Sequence, residues 1–106
     1  MVEFIACTDL AEKLKSQKKP FLLDVRTQSE YDEAHIADSK LIPVQKLPEH
    51  LQKLPKNKHT EIVTYCQHGV RSQHAALFLQ HHGYTHVKSM EGGLEVWMFK
   101  GLPVEK

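Results

Sequence analysis

Glu61-Ile62-Val63-Thr64-Tyr65-Cys66-Gln67-His68-Gly69-Val70-Arg71-Ser72 is the stretch that decides the fold. After Glu61, the run Ile62-Val63-Thr64-Tyr65 is apolar, β-branched or aromatic and follows polar residues, the signature of a short buried strand. From Arg71 to His81 the period changes: Ala75, Ala76 and Leu79 share one helical face, and Gly83 closes the end. A buried strand that turns through a glycine-bearing loop into a helix is half of a βαβ unit, and the rest of the chain repeats the alternation. Phe21-Leu22-Leu23-Asp24-Val25 reads as a second strand, with weaker strands at Val2 to Ile5, Leu41-Ile42 before Pro43, and His86-Val87-Lys88. Helices fall between them. Thr8 and Asp9 can cap one that carries Leu10, Ala11 and Leu14 and stops at Lys18-Lys19-Pro20. Thr27-Gln28-Ser29-Glu30 is a capping box. A short helix spans Pro48 to Leu54, stopped by Pro55, and a last one follows Gly92-Gly93 with Leu94, Trp97 and Met98. The expected class is α/β, a mainly parallel central sheet with helices on both faces.

Composition excludes several functions. Fourteen basic against 13 acidic residues leave a net charge of +1, with no long basic run for a nucleic acid or an anionic membrane to grip. No apolar run comes near the ~20 residues of a membrane span, and no basic-then-apolar leader marks secretion. Two cysteines, Cys7 and Cys66, cannot build a disulfide framework, so a reducing compartment, by default the cytoplasm, is expected. With no linker or repeat, residues 1–106 read as a single domain.

In a parallel sheet ligands bind at the carboxyl ends of the strands, which points at Cys66. A cysteine there, facing a helix N-terminus, is where unpaired amides and the helix dipole favour a thiolate. Gly69 permits a positive φ that lets successive N–H groups curl around an anion, and Arg71 adds a planar fork of donors suited to an oxyanion. Nucleophile, nest and cation within six residues make a catalytic proposal. The plain alternative is that Cys66 is only a small buried hydrophobe.

Five segments together resemble the rhodanese-like sulfurtransferase family in its single-domain form. They are Asp24-Val25-Arg26 with Glu30-Tyr31, His35-Ile36 with Ile42-Pro43, Tyr65-Cys66 with Gly69, Arg71 and Ser72, Gly92-Gly93 with Trp97, and Gly101-Leu102-Pro103-Val104. Ala34 departs from the glycine that commonly precedes the His-Ile pair. The resemblance implies a rhodanese fold over residues 1–106 and a double displacement through a persulfide on Cys66. The sulfur comes from thiosulfate or a related small anionic donor and goes to cyanide or a thiol; a protein persulfide donor or acceptor is a further partner it allows. Amides from Gln67 to Ser72 would hold the persulfide, Arg71 would bind the donor, and Gln67, His68 and Val70 would form the rim. No metal or organic cofactor is implied, and neither nucleic acid nor membrane is expected as a partner.

Two other readings use the same cysteine loop. Phosphatases and arsenate reductases do, but the related phosphatases carry five residues between cysteine and arginine where this chain has four, Gln67 to Val70. A non-catalytic persulfide carrier or interaction module would show the same residues. Asp24 and Arg26 read first as a structural ion-pair network, with Arg26 expected to meet Glu30. His68 lacks an evident partner that would orient it as an acid or base. The remaining histidines show no metal-ligand spacing, since Gly83 breaks the helix between His82 and His86. His35 reads as structural, Cys7 as a buried inert thiol rather than a resolving one, and Trp97 as core beside Met98 and Phe99.

Overall fold

The computed structural model describes residues 1–106. Five strands form one fully parallel sheet: β1 (Glu3–Ile5), β2 (Phe21–Asp24), β3 (Lys40–Leu41), β4 (Ile62–Tyr65) and β5 (Val87–Met90), in the order β1-β5-β4-β2-β3. Three helices lie between strands, α1 (Cys7–Lys15), α2 (Gln28–Glu33) and α3 (Val70–His81), and a fourth, α4 (Gly93–Phe99), follows β5. The strand from the deciding stretch, β4, is central, and all four of its residues are buried. Strands covered on both faces are what the apolar runs of β2 and β4 require.

Period-two alternation sends neighbouring residues into two cores. Leu23, Val25 and Ile62 face Ala75, Ala76 and Leu79 of α3, with Leu47 and Leu54 from the β3–β4 connection. Leu22, Val63 and Tyr65 face Leu10 of α1 and Leu94 and Trp97 of α4. The second core is closed by the chain end, where the Trp97 indole donates to the Pro103 carbonyl at 2.9 Å and His35 pairs with Glu105 in an isolated antiparallel bridge.

Several element boundaries differ from the sequence expectation. Helix α1 begins at Cys7, capped by no side chain, so Thr8 and Asp9 fall in its first turn. It ends at Lys15, because both the amide and the hydroxyl of Ser16 turn back to the Lys13 carbonyl. The Pro48–Leu54 helix is replaced by two 3-10 segments, Val44–Glu49 and Leu51–Lys53. Pro48 has no N–H to give and sits inside the first, so the tighter turns carry the connection. Strand β5 runs on to Met90, since Ser89 is wholly buried and its hydroxyl is satisfied by Ser72.

Candidate active site

Three loops converge at the carboxyl edge of the sheet: Val25–Thr27 after β2, Cys66–Gly69 after β4, and Glu91–Gly92 after β5. Chain direction alone brings them there, because every strand is parallel to its neighbours.

Cys66 lies in the innermost position and is 1% exposed. Its sulfur accepts the Gly69 amide at 3.0 Å and the Ser72 amide at 3.4 Å, and the Ser72 hydroxyl lies 3.5 Å away. Gly69 adopts φ +99 as the residue before α3, the left-handed turn the sequence anticipated. Ser72 is fixed from behind by buried strand hydroxyls. Ser89 Oγ meets Ser72 Oγ at 2.8 Å, and Thr64 Oγ1 donates to the Ser72 carbonyl at 2.8 Å.

The loop is held from outside as well. Leu94 and Glu95, whose amides open α4, donate to the carbonyls of Cys66 (2.8 Å) and Gln67 (3.1 Å). In a trans peptide the carbonyl and the following N–H point opposite ways, so these two bonds turn the amides of Gln67 and His68 away from α4. Neither amide has a backbone acceptor, nor do those of Val70 and Arg71 at the start of α3. Four orphan donors therefore surround the two that already meet the sulfur. That is an anion nest.

Each side chain of the loop has a separate environment. Gln67 accepts from Arg26 Nη1 at 3.2 Å. His68 is exposed and lies 3.4 Å from Glu95, the partner that the sequence did not reveal. Val70 is 61% exposed at the rim. Arg71 makes two bonds to the Glu30 carboxylate, at 2.7 and 2.9 Å.

Those bonds correct the expected pairing of Arg26 with Glu30. Arg26 is buried and forks onto Asp24 through Nε and Nη2, with Nη2 also donating to the Ala34 carbonyl. Burial alone would lower the Arg26 guanidinium, but the Asp24 hydrogen bonds and charge overcome it and the net shift is upward. Glu30 has the shifts of a well-paired carboxylate. Arg71's hydrogen bonds, with smaller help from the Thr27 cap, lower it to about 2. The same pair raises Arg71, to which Cys66 and Asp24 add weaker pulls.

Cys7 is buried at the start of α1 with its sulfur 3.5 Å from the Glu91 carbonyl, and burial pushes its thiol up, which disfavours the thiolate. No three His, Cys, Asp or Glu side chains come together as a metal site. The most apolar cleft, about 420 Å³ under Trp97 and the chain end, shares no residue with the Cys66 loop. Beside the loop open two more polar clefts, one of about 370 Å³ with His68, Gly69 and Gln73, the other of about 430 Å³ with Arg26, Glu30 and Gln67.

Glu30, Ser89 and Gly93 belong to this site although the sequence did not place them there. Glu30 was legible as a helix cap and as the expected partner of Arg26. Ser89, one residue past the expected strand, carried no signal. Gly93 stood in a closing motif, whereas its Cα is so close to the loop that a Cβ would meet the Gln67 carbonyl oxygen at 2.4 Å.

With this geometry, comparison with known proteins settles the family. The rhodanese-like domain family matches residues 7–100. The chain belongs to that family. Among its relatives, a sulfurtransferase from Allochromatium vinosum is 32% identical over 104 residues, covering 98% of this chain and 95% of the relative. The thiosulfate sulfurtransferase GlpE of Coxiella burnetii is 37% identical over 87 residues, 82% of this chain and 79% of that protein. A rhodanese-related protein from Thermoplasma volcanium superposes with a TM-score of 0.86 at 33% identity, over 97% of both chains. A Rhodopseudomonas palustris structure described as a possible tyrosine phosphatase reaches the same TM-score at 27% identity, over 98% of this chain and 85% of that one. The rhodanese-like fold and membership of a sulfurtransferase family are thereby shown. No helix is long and apolar enough to cross a membrane.

Proposed function

We propose that this rhodanese-like protein transfers sulfane sulfur, with thiosulfate as a donor, through a persulfide on Cys66. The observation that carries the reading is the Cys66 sulfur held by the Gly69 and Ser72 amides inside a loop with four further unpaired amides. In the first half-reaction the Cys66 thiolate attacks the outer sulfur of thiosulfate. A new S–S bond forms, the bond to the sulfonate sulfur breaks with its electron pair, and sulfite leaves. In the second, cyanide or a thiolate attacks the outer sulfur of the persulfide, and the S–S electrons return to Cys66. The sulfur is carried covalently, so the cycle needs no other carrier.

The amides supply the stabilisation. Negative charge begins on Cys66 Sγ and ends one atom further out, on the persulfide's terminal sulfur. Donors already placed around both positions cost no reorganisation as the charge moves. Burial of Cys66 keeps bulk water and stray oxidants from the intermediate. Four residues between Cys66 and Arg71, one fewer than in the related phosphatases, favour this reading over phosphate or arsenate chemistry.

The test is the intact mass of reduced protein before and after thiosulfate. The wild type should gain one sulfur atom and lose it to cyanide, while Cys66→Ser, folded as judged by circular dichroism, should gain none. Equal gain in both would place the sulfur elsewhere. No gain in either, with turnover of an aryl phosphate, would make the phosphatase reading the right one.

A further inference from the structure

Two guanidiniums stand beside the Cys66 loop, and only one is free to serve a ligand. Arg26 is 1% exposed, with its bonds committed to Asp24, the Ala34 carbonyl and Gln67. Arg71 lies at the mouth, about a third of its side chain exposed, and its fork faces the Glu30 carboxylate. Glu30 is itself fixed. Its Oε1 also accepts the Thr27 amide at 3.0 Å, which with the Glu30 amide donating to Thr27 Oγ1 at 3.3 Å makes the capping box at the start of α2, and it accepts the Thr27 hydroxyl at 3.1 Å besides. The carboxylate that occupies Arg71 is therefore held in place by backbone, while the guanidinium opposite is a flexible side chain.

We propose that Glu30 sets the affinity of the Cys66 loop for anionic sulfur donors by withholding Arg71, which a donor must take over before it is held. The proposal rests on the sulfurtransferase reading and adds the residue that tunes its donor step. An oxyanion with three terminal oxygens offers Arg71 the same two-point contact that Glu30 gives. The exchange is nearly even for the guanidinium, and the fixed carboxylate left behind repels the newcomer. Both effects weaken binding without touching the nucleophile. Anions that carry no transferable sulfur, such as sulfate and phosphate, then occupy the loop only weakly. Protonation does not release the pair in ordinary solution, because Glu30 titrates only near 2. Competition by the anion is the remaining route.

Glu30→Gln separates this role from the structural one, since glutamine serves equally well as the third residue of a capping box. In a Cys66→Ser background, where no transfer occurs, thiosulfate and sulfate are titrated at constant ionic strength while the Gly69 and Ser72 amide resonances are followed. Adding Glu30→Gln should tighten both anions about fivefold, the equivalent of ~1 kcal/mol for an ion pair of this exposure. In the background of Arg71→Ala the gain should largely vanish, which closes a double-mutant cycle. With Cys66 restored, the same gain should fall on KM for thiosulfate rather than on kcat. Unchanged or weaker binding in Glu30→Gln would overturn the proposal, as would a gain that persists without Arg71, or the absence of any titration at these amides. Failure of the parent reading shows separately, as no sulfur gained by the wild type, because the binding comparison does not depend on transfer. If Glu30→Gln does not fold, Glu30→Asp, whose shorter side chain keeps the charge but draws the carboxylate back from Arg71, repeats the comparison: both anions should again tighten, and unchanged or weaker binding would overturn the proposal.

Discussion

Replacing Gly93 by alanine probes whether α4 truly holds the cysteine loop. Gly93 has φ +68, and an added Cβ would lie 2.4 Å from the Gln67 carbonyl oxygen, 2.5 Å from its carbon and 2.7 Å from the Cys66 carbonyl oxygen. All three are backbone atoms, so no side chain can swing aside. Restoring ordinary contact near 3.4 Å requires a shift of about 1 Å in the loop or in α4. The left-handed backbone costs an alanine about 1–2 kcal/mol. Separation weakens the bonds from Leu94 to Cys66 and from Glu95 to Gln67, at about 1 kcal/mol each. Together these predict a loss of roughly 3–4 kcal/mol in urea unfolding. Gly101→Ala is the control: its φ is +73, but nothing lies within 4 Å of the added carbon. It should lose only the backbone share, about 1–2 kcal/mol. Loading from thiosulfate, followed by mass at timed intervals, should slow by about a hundredfold in Gly93→Ala, as a 1 Å displacement of a reacting group does, and hardly at all in Gly101→Ala. Equal stability of the two variants, with wild-type loading in both, would refute the idea that the close approach of Gly93 positions the nucleophile.

Two further outcomes follow from the polar contacts. Glu30 is lowered from 4.5 to about 2 by Arg71 and its cap, so its stabilisation is fully present above 4.5 and is lost as the pH falls toward 2. After allowance for solvent screening the pair should contribute about 1 kcal/mol; the stability gap between wild type and Glu30→Gln should hold from pH 7 to 5 and shrink steadily below, and a gap that grows on acidification would reverse the sign of the argument. Tyr65→Phe removes a buried hydroxyl that accepts the Ile36 amide at 3.1 Å and meets Ser39 Oγ at 3.0 Å. With the Ile36 N–H left unpaired, urea unfolding should show a loss of about 1–3 kcal/mol, and a loss below about 0.5 kcal/mol would mean that another acceptor, or water, replaces the phenol.

The legible parts of this fold were those governed by local periodicity. The apolar runs of β2 and β4 and the Ala75-Ala76-Leu79 face fixed the central layer and its covering helix, and the Thr27–Glu30 box was read from four letters and found intact. Cys66, Gly69 and Ser72 were legible as a site because a thiol, a positive-φ position and a helix start are all local. What escaped is long-range. The expected Arg26–Glu30 pair was only four residues apart, whereas the true partner of Glu30 lies 41 residues away across the sheet edge. His68 found Glu95 by a similar crossing. The failed caps at Thr8 and Asp9 show the same limit, because Ile5, Cys7 and Leu10 are drawn into the core and fix where α1 begins.

The order of the strands explains why a short loop suffices. Cys66 follows the central strand, so the loops after β2 and β5 flank it on either side. From the β2 side come Arg26, which orients Gln67, and Glu30, which engages Arg71. From the β5 side come the amides of Leu94 and Glu95, which take the carbonyls of Cys66 and Gln67. With the carbonyls bound outside, the amides of Gln67 and His68 can only face away from α4, joined by those that begin α3. A loop ordered by its own residues alone would have to satisfy those amides internally and would lose the nest. Here the acceptors come from elsewhere, and the donors stay unspent until a charged sulfur arrives. In the resting protein two amides meet Sγ; in the cycle proposed above, the unpaired ones would become partners of the charge as it moves outward onto a persulfide. On that proposal one rigid set of dipoles would serve a charge at two successive positions, which is the physical requirement of a group carried on sulfur.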